Sequence, residues 1–220
     1  EGGEVEFGAL FARRERMAGG PGATRLGGNS LAETGAYGVV VGRRVAERVD
    51  GPGSLSKDLV ETQVEPMLAS LQRLTENDGS HDVRAVFEEI QSLMWEHAGL
   101  LREETSLQEG LDALDAVRKK ATDLDIDSRT DESFELAVDI DFMLTTAETV
   151  LRGALQRTES RGAHYRTDHS ETDATWQQNI TFEQADIGRM TTDTQSVDTP
   201  SEAVQAALDA GHELDYHQLE

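Results

Sequence analysis

The sequence predicts a mainly α-helical protein in three parts. Residues 82–156 carry repeated apolar stripes at steps of three and four, the period of helices that bury one face. That period stops at Glu159, where a tract rich in Thr, Asp and Ser begins. Ahead of the stripes, Asp50-Gly51-Pro52-Gly53 is a breaker cluster that marks a boundary. Residues 1–50 therefore read as a separate α/β part (strand, loop, helix), 54–157 as an antiparallel bundle of about four helices, and 158–220 as an extended C-terminal segment with little regular structure.

The first part reads as a strand (Ala9 to Ala12), a glycine-rich loop, and a helix from Ser30 to Arg48. Ser30 can cap that helix, with Glu33 three residues on completing a capping box. The first bundle helix is expected from about Ser56 to Thr75, kinked or restarted at Pro66. The second, Asp82 to Ala98, aligns Val83, Val86, Phe87, Ile90, Leu93 and Met94. The third, Ser106 to Leu124, aligns Leu107, Leu111, Leu114, Val117, Ala121 and Leu124. The fourth, Asp131 to Gln156, aligns Phe134, Ile140, Met143, Ala147, Val150, Leu151 and Ala154. About 100 residues in short-looped helices suffice for a bundle core. After Glu159, extended segments and turns are expected to wrap another surface, with a loop at Asp193 to Thr199. A short helix follows near 201–210 and stops at Gly211.

One run carries chemistry: Arg25-Leu26-Gly27-Gly28-Asn29-Ser30-Leu31, just before a helix. A helix N-terminus presents free N–H groups and a partial positive charge. The glycines admit a ligand close to the backbone, and Arg25 can grip a carboxylate with two parallel bonds. The run reads as an anion-binding corner.

The same run resembles the end of the flavin domain in the flavoprotein subunit of succinate dehydrogenase and fumarate reductase, where the family reads roughly H-G-A-N-R-L-G-G-N-S-L. Arg157-Thr158-Glu159-Ser160-Arg161-Gly162-Ala163-His164-Tyr165-Arg166-Thr167-Asp168 resembles the family's R-x-E-S-R-G-A-H-x-R-x-D segment. Met94 through Gly99-Leu100-Leu101-Arg102 resembles M-x-x-x-x-G-I-x-R. The matches keep family order and span most of the chain.

The resemblance implies that residues 1–50 are the tail of an FAD-binding domain. It implies a protein that oxidises succinate or reduces fumarate through FAD and passes electrons to an iron–sulfur subunit, with membrane-anchor subunits beyond. Arg25 then matches the arginine that binds the dicarboxylate substrate. Glu15, Asn29, Ser30 and Leu31 match positions around the flavin. The family's G-x-G-x-x-G fingerprint and its proton-delivering arginine would lie upstream, so no catalytic residue is expected in this chain, and alone it is expected to hold no FAD and to be inactive. Arg13-Arg14-Glu15-Arg16 stands where the family has roughly Ala-Gly-Glu-Cys. Two other readings stay open: an L-aspartate oxidase-like flavoprotein, which shares the E-S-R-G segment, and a non-catalytic helical interaction module or gene remnant.

The net charge is −23, from 43 acidic and 20 basic side chains, and Lys57, Lys119 and Lys120 are the only lysines. Such a chain repels phosphates, so no nucleic-acid partner is expected. Acidic excess with scarce lysine reads as adaptation to a salty cytoplasm. No cysteine is present, which excludes disulfides, thiolate chemistry and cysteine-held clusters in this chain. No apolar run approaches the roughly 20 residues that span a bilayer. The expected location is cytoplasmic, at the inner face of the membrane only through partner subunits. His164, His169, His212 and His217 lack paired metal-ligand spacing, and Asp123, Asp125 and Asp127 lack a calcium loop's glycine and glutamate, so no metal is expected. Arg161, His164, Arg166 and Asp168 read as a polar clamp that docks the C-terminal segment onto the flavin domain.

Overall fold

The computed structural model describes residues 23, 29–48, 57–75, 79–126, 131–186, 189–197 and 199–210. The expected strand at Ala9 to Ala12, Glu15, Arg25, the Asp50 to Gly53 breaker, the stop at Gly211 and the tail histidines lie outside them.

Helix α1 runs Asn29–Arg48. It starts one residue before Ser30, which therefore sits inside the first turn instead of capping it. The Ser30 carbonyl accepts the Thr34 hydroxyl at 2.6 Å. The expected helix from Ser56 is built of α2 (Lys57–Leu59), a π-helical stretch (Val60–Val64) and α3 (Glu65–Thr75). The irregularity lies before Pro66, not at it. The α-helix resumes at Glu65, one residue ahead of Pro66, close to the kink or restart expected there.

Three helices make the core. The strand β1 (His81–Asp82) leads into α4 (Val83–Ala98), whose N-cap Asp82 accepts the Ala85 N–H at 2.8 Å. Helix α5 spans Glu104–Lys120 and places Arg118, Lys119 and Lys120 in its last turn, where cations complement the helix dipole. Helix α6 spans Asp131–Gln156, about 39 Å at 1.5 Å per residue. Val86 and Ile90 of α4, Leu107, Leu114 and Val117 of α5, and Ile140, Leu144 and Leu151 of α6 are buried together. These follow the stripes the period predicts except on α6, where Leu144 is buried and Val150, expected on the inner face, is exposed; α3 lies against α6 as the fourth member. Gly110 marks the closest approach: a Cβ there would stand 2.7 Å from His97 Cβ and 2.9 Å from Leu151 Cδ2. Ion pairs bind the helices across their outer edges. Lys120 of α5 reaches Glu89 of α4 at 2.7 Å, and the buried Glu148 of α6 takes Arg118 of α5 at 2.6 Å and, within its own helix, Arg152 at 2.7 Å.

Leu124 corrects the expected end of α5. The helix stops at Lys120, the chain turns, and Leu124 belongs to β2 (Leu124–Asp125), which pairs in parallel with β1. The pairing returns Leu124 to the core, so its burial mimics one more helical step.

The C-terminal segment holds more regular structure than its composition suggests. A 3-10 turn (Ala174–Trp176) leads into an antiparallel hairpin of β3 (Gln178–Asp186) and β4 (Arg189–Ser196). Residues Asp193 to Ser196, expected as loop, pair with Thr181 to Gln178. The hairpin lies on α6, where Gly153 leaves room for Phe182: a Cβ at Gly153 would be 3.1 Å from its ring. Helix α7 (Glu202–Asp209) follows. Among the described residues no helix is long and apolar enough to cross a membrane.

Candidate functional site

The charged side chains of residues 157–168 converge on the helix ends at one end of the bundle. Arg166 is 1% exposed. Its Nη1 donates to the carbonyls of Ala154 at 2.8 Å and Leu155 at 3.2 Å, the unpaired acceptors at the end of α6. Its Nε and Nη2 grip Asp168 at 2.7 and 2.6 Å. Asp168 in turn accepts the Glu104 N–H at 2.9 Å, the first residue of α5. One ion pair thus sets a cation at a helix C-terminus and an anion at a helix N-terminus, the favourable sense at both. The guanidinium holds the Asp168 carboxyl far below the usual carboxylate range.

Arg102 does the same for α4. Its Nε donates to Ala98 O at 3.2 Å and Gly99 O at 2.9 Å, and burial lowers its pKa. Its Nη1 lies 3.0 Å from His164 Nδ1, and His164 Nε2 lies 3.2 Å from Arg157 O. Arginine only donates, so Nδ1 is the acceptor and Nε2 carries the proton. Burial first, then the charges of Arg102, Arg157 and Arg166, push the His164 pKa down, against the raising effect of the Arg157 carbonyl. Backbone bonds Arg102 N–H to Tyr165 O and Thr167 N–H to Arg102 O fasten the two segments side by side.

Glu159 is the second hub. Its fully buried carboxylate accepts Arg157 at 2.7 Å, Arg161 at 2.8 and 3.0 Å, and the Asp173 N–H at 2.8 Å. Burial alone would raise its pKa; the bonds from Arg161, the Asp173 amide and Arg157 outweigh it and hold the carboxyl at about 2. Arg157 also donates to Gln178 O at 2.7 Å and stacks over Trp176, 5.1 Å from the ring centre. A cavity of 710 Å³ opens beside this hub, lined by Arg157, Arg161, His164 and Trp176, with Ala23 on its wall.

These pairings have no nucleophile–base geometry. They clamp the C-terminal segment to the bundle's own helix ends, whereas the surface expected for it was a flavin domain. One contact reaches the N-terminal part of the chain: the turn at Gly162 touches Ala23, and Ala163 N–H points at the Ala23 carbonyl at 3.4 Å. Of the residues singled out for ligand binding, Asn29, Ser30 and Leu31 form the first turn of α1, and Leu31 is 81% exposed. That turn contains no acidic side chain. Sequence reasoning noticed Arg102 and Glu159 within motifs but assigned them no role. Their signal was the composition of those motifs, arginine and glutamate flanking the points where helical period ends. Among the described residues no cluster of three or more metal-ligating side chains occurs.

A family profile described as the fumarate reductase flavoprotein C-terminus matches residues 87–207. An uncharacterised FAD-dependent oxidoreductase of Methanocaldococcus jannaschii is 33% identical over 179 residues, 80% of this chain and 32% of its own length. The fumarate reductase flavoprotein subunit of Haemophilus influenzae is 30% identical over 174 residues, 77% of this chain and 29% of its own. Among solved structures, a quinol fumarate reductase chain of Escherichia coli superposes with a TM-score of 0.80 at 26% identity, over 87% of this chain and 34% of that one. The chain spans about a third of the length of the curated relatives it matches. It belongs to the fumarate reductase and succinate dehydrogenase flavoprotein family and represents the C-terminal part of such a subunit.

Proposed function

We propose that this chain is the C-terminal part of a subunit that interconverts succinate and fumarate through FAD and passes the electrons to an iron–sulfur subunit. The family match across residues 87–207 carries this reading. The helical bundle and its clamp form the scaffold; the upstream flavin domain supplies the dinucleotide fingerprint and the acid. Membrane-anchor subunits then hold the assembly at the inner face of the membrane.

The first turn of α1 fits a flavin. It is a helix N-terminus, where N–H groups and the positive end of the dipole gather, with no acidic side chain in the turn and an exposed leucine. Asn29, Ser30 and Leu31 would hold the cofactor, joined by Glu15. When bound, FAD supplies the acceptor for a hydride from succinate. Arg25 binds a substrate carboxylate in two bonds and fixes the dicarboxylate's orientation.

The test is to purify the chain alone and joined to an upstream flavin domain carrying G-x-G-x-x-G. The chain alone should be colourless, and the joined protein should bind about one flavin and reduce a dye with succinate. A joined protein that binds flavin yet oxidises only L-aspartate would place it with the aspartate oxidases instead.

A further inference from the structure

Helices α4 and α6 pack side by side and leave a groove of 510 Å³ between them. Its floor is the buried Ile90 and Ala147, and its walls carry Phe87 and Met94 from α4 and Phe142 and Met143 from α6. Phe142 is 63% exposed, and Trp95, one turn beyond Gln91 on the α4 rim, is 77% exposed. Large apolar side chains left in water along a groove mark a binding surface. Phenylalanine supplies contact area there, and methionine adapts its shape to what enters.

The rims carry one sign of charge. No Lys or Arg occurs at 85–101 or at 131–151. Glu88, Gln91 and Trp95 share one stripe of α4, and Glu135, Asp139 and Phe142 one stripe of α6, at steps of three and four. Glu89, Glu132 and Glu148 on the same helices are taken by Lys120, Arg84 and Arg118. Glu88, Glu135 and Asp139 are exposed and form no ion pair among the described residues. The groove runs about 10 Å along α4, from Phe87 to Met94, and about 16 Å along α6, from Asp139 to Val150. That is two to three helical turns, the span over which a helix presents anchors at i, i+3 or i+4, and i+7.

We propose that this groove docks a basic amphipathic helix of a partner protein. Its apolar anchors enter between α4 and α6, and lysines or arginines on its flanks meet Glu88, Glu135 and Asp139. Charge argues against a second copy as the occupant, since two such rims on chains of net charge −23 repel. The groove's chemistry is independent of the redox reading.

The probe is a synthetic helix of about 16 residues with leucines at those anchor positions and lysines beside them. Titrated into this chain, it should bind one to one, shift the methyl signals of Met94 and Met143, and bind more weakly as salt rises. Phe142→Ala should weaken it about tenfold or more, as the loss of an aromatic anchor does. Glu135→Gln with Asp139→Asn should weaken it several-fold, whereas Glu109→Gln with Asp112→Asn, an exposed pair on α5, should leave it nearly unchanged. The exposed Glu135 and Asp139 decide the matter even where Phe142→Ala disturbs the fold. Probes with glutamate for lysine, or serine for leucine, should not bind. Absent binding, binding that survives Phe142→Ala, or an equal loss from the α5 pair, the mark of bulk charge attraction, overturns the proposal. So does a flavoprotein carrying this segment that refuses the probe, its own upstream part then filling the groove. A dimer of this chain in sedimentation that Phe142→Ala dissociates overturns it in favour of a second copy.

Discussion

Arg166 and Asp168, two residues apart, tie the end of one core helix to the start of another. The guanidinium takes both carboxylate oxygens at 2.7 and 2.6 Å while capping Ala154 and Leu155, and the same carboxylate receives the first N–H of α5. Asp168→Asn keeps the shape but removes the charge that balances a buried arginine. Removing one partner of a buried pair costs about 3–5 kcal/mol; Asp168 is partly exposed, so about 2–3 kcal/mol is expected. Chemical denaturation of the two chains checks this. A loss under about 0.5 kcal/mol, the level of a surface pair, would contradict it.

Acid should weaken the fold through the same groups. The Glu159 carboxyl is held at about 2 against an ordinary 4.5, and Asp168 lies far below its ordinary 3.8. Both bind protons more readily in the unfolded chain, so their stabilisation is full above about pH 5 and is lost as pH falls through 4 and below. The melting temperature should drop steeply between pH 5 and pH 3, and less steeply in Asp168→Asn. His164 adds an earlier step: its pKa lies below 6.5, and protonating Nδ1 breaks the bond from Arg102. An NMR titration should find its midpoint under 6.5; a midpoint above it would contradict the assignment of Nδ1 as acceptor.

Salt should act in the opposite direction to acid. A net charge of −23 on 220 residues repels itself, and molar salt shortens the screening length to about 3 Å. Each kcal/mol of relieved repulsion raises the melting temperature by about 2–4 °C at this size. The midpoint should climb several degrees between low and molar potassium chloride. A flat or falling midpoint would contradict adaptation to salt.

Much of the fold was legible because the core stripes have a single period. Asp82 to Ala98 and Asp131 to Gln156 were readable to within a residue, since each stripe faces one neighbour pair and ends at a cap or a break. Leu124 misled because a short parallel strand returned it to the core at a helix-like interval. The hairpin at 178–196 was missed because its strands are mostly polar and exposed. Ile180 and Phe182, two residues apart, were its one periodic signal, and Phe182 finds its place only because Gly153 yields space on α6. The clamp was legible as a clamp. Its principal surface was not, since nothing local tells an arginine that it will cap a helix ending ten residues earlier.

Arg25→Lys tests the central claim most directly. Lysine keeps the charge but loses the planar fork that holds a carboxylate in two bonds. The measurement is steady-state succinate oxidation by the flavoprotein carrying this segment, beside a thermal melt of the same variant. The account predicts a loss of about a hundredfold or more in turnover with the melt within a few degrees of the unaltered protein. Turnover preserved within a few-fold, or activity lost only in step with a collapsed melt, would make Arg25 a structural arginine and contradict the account.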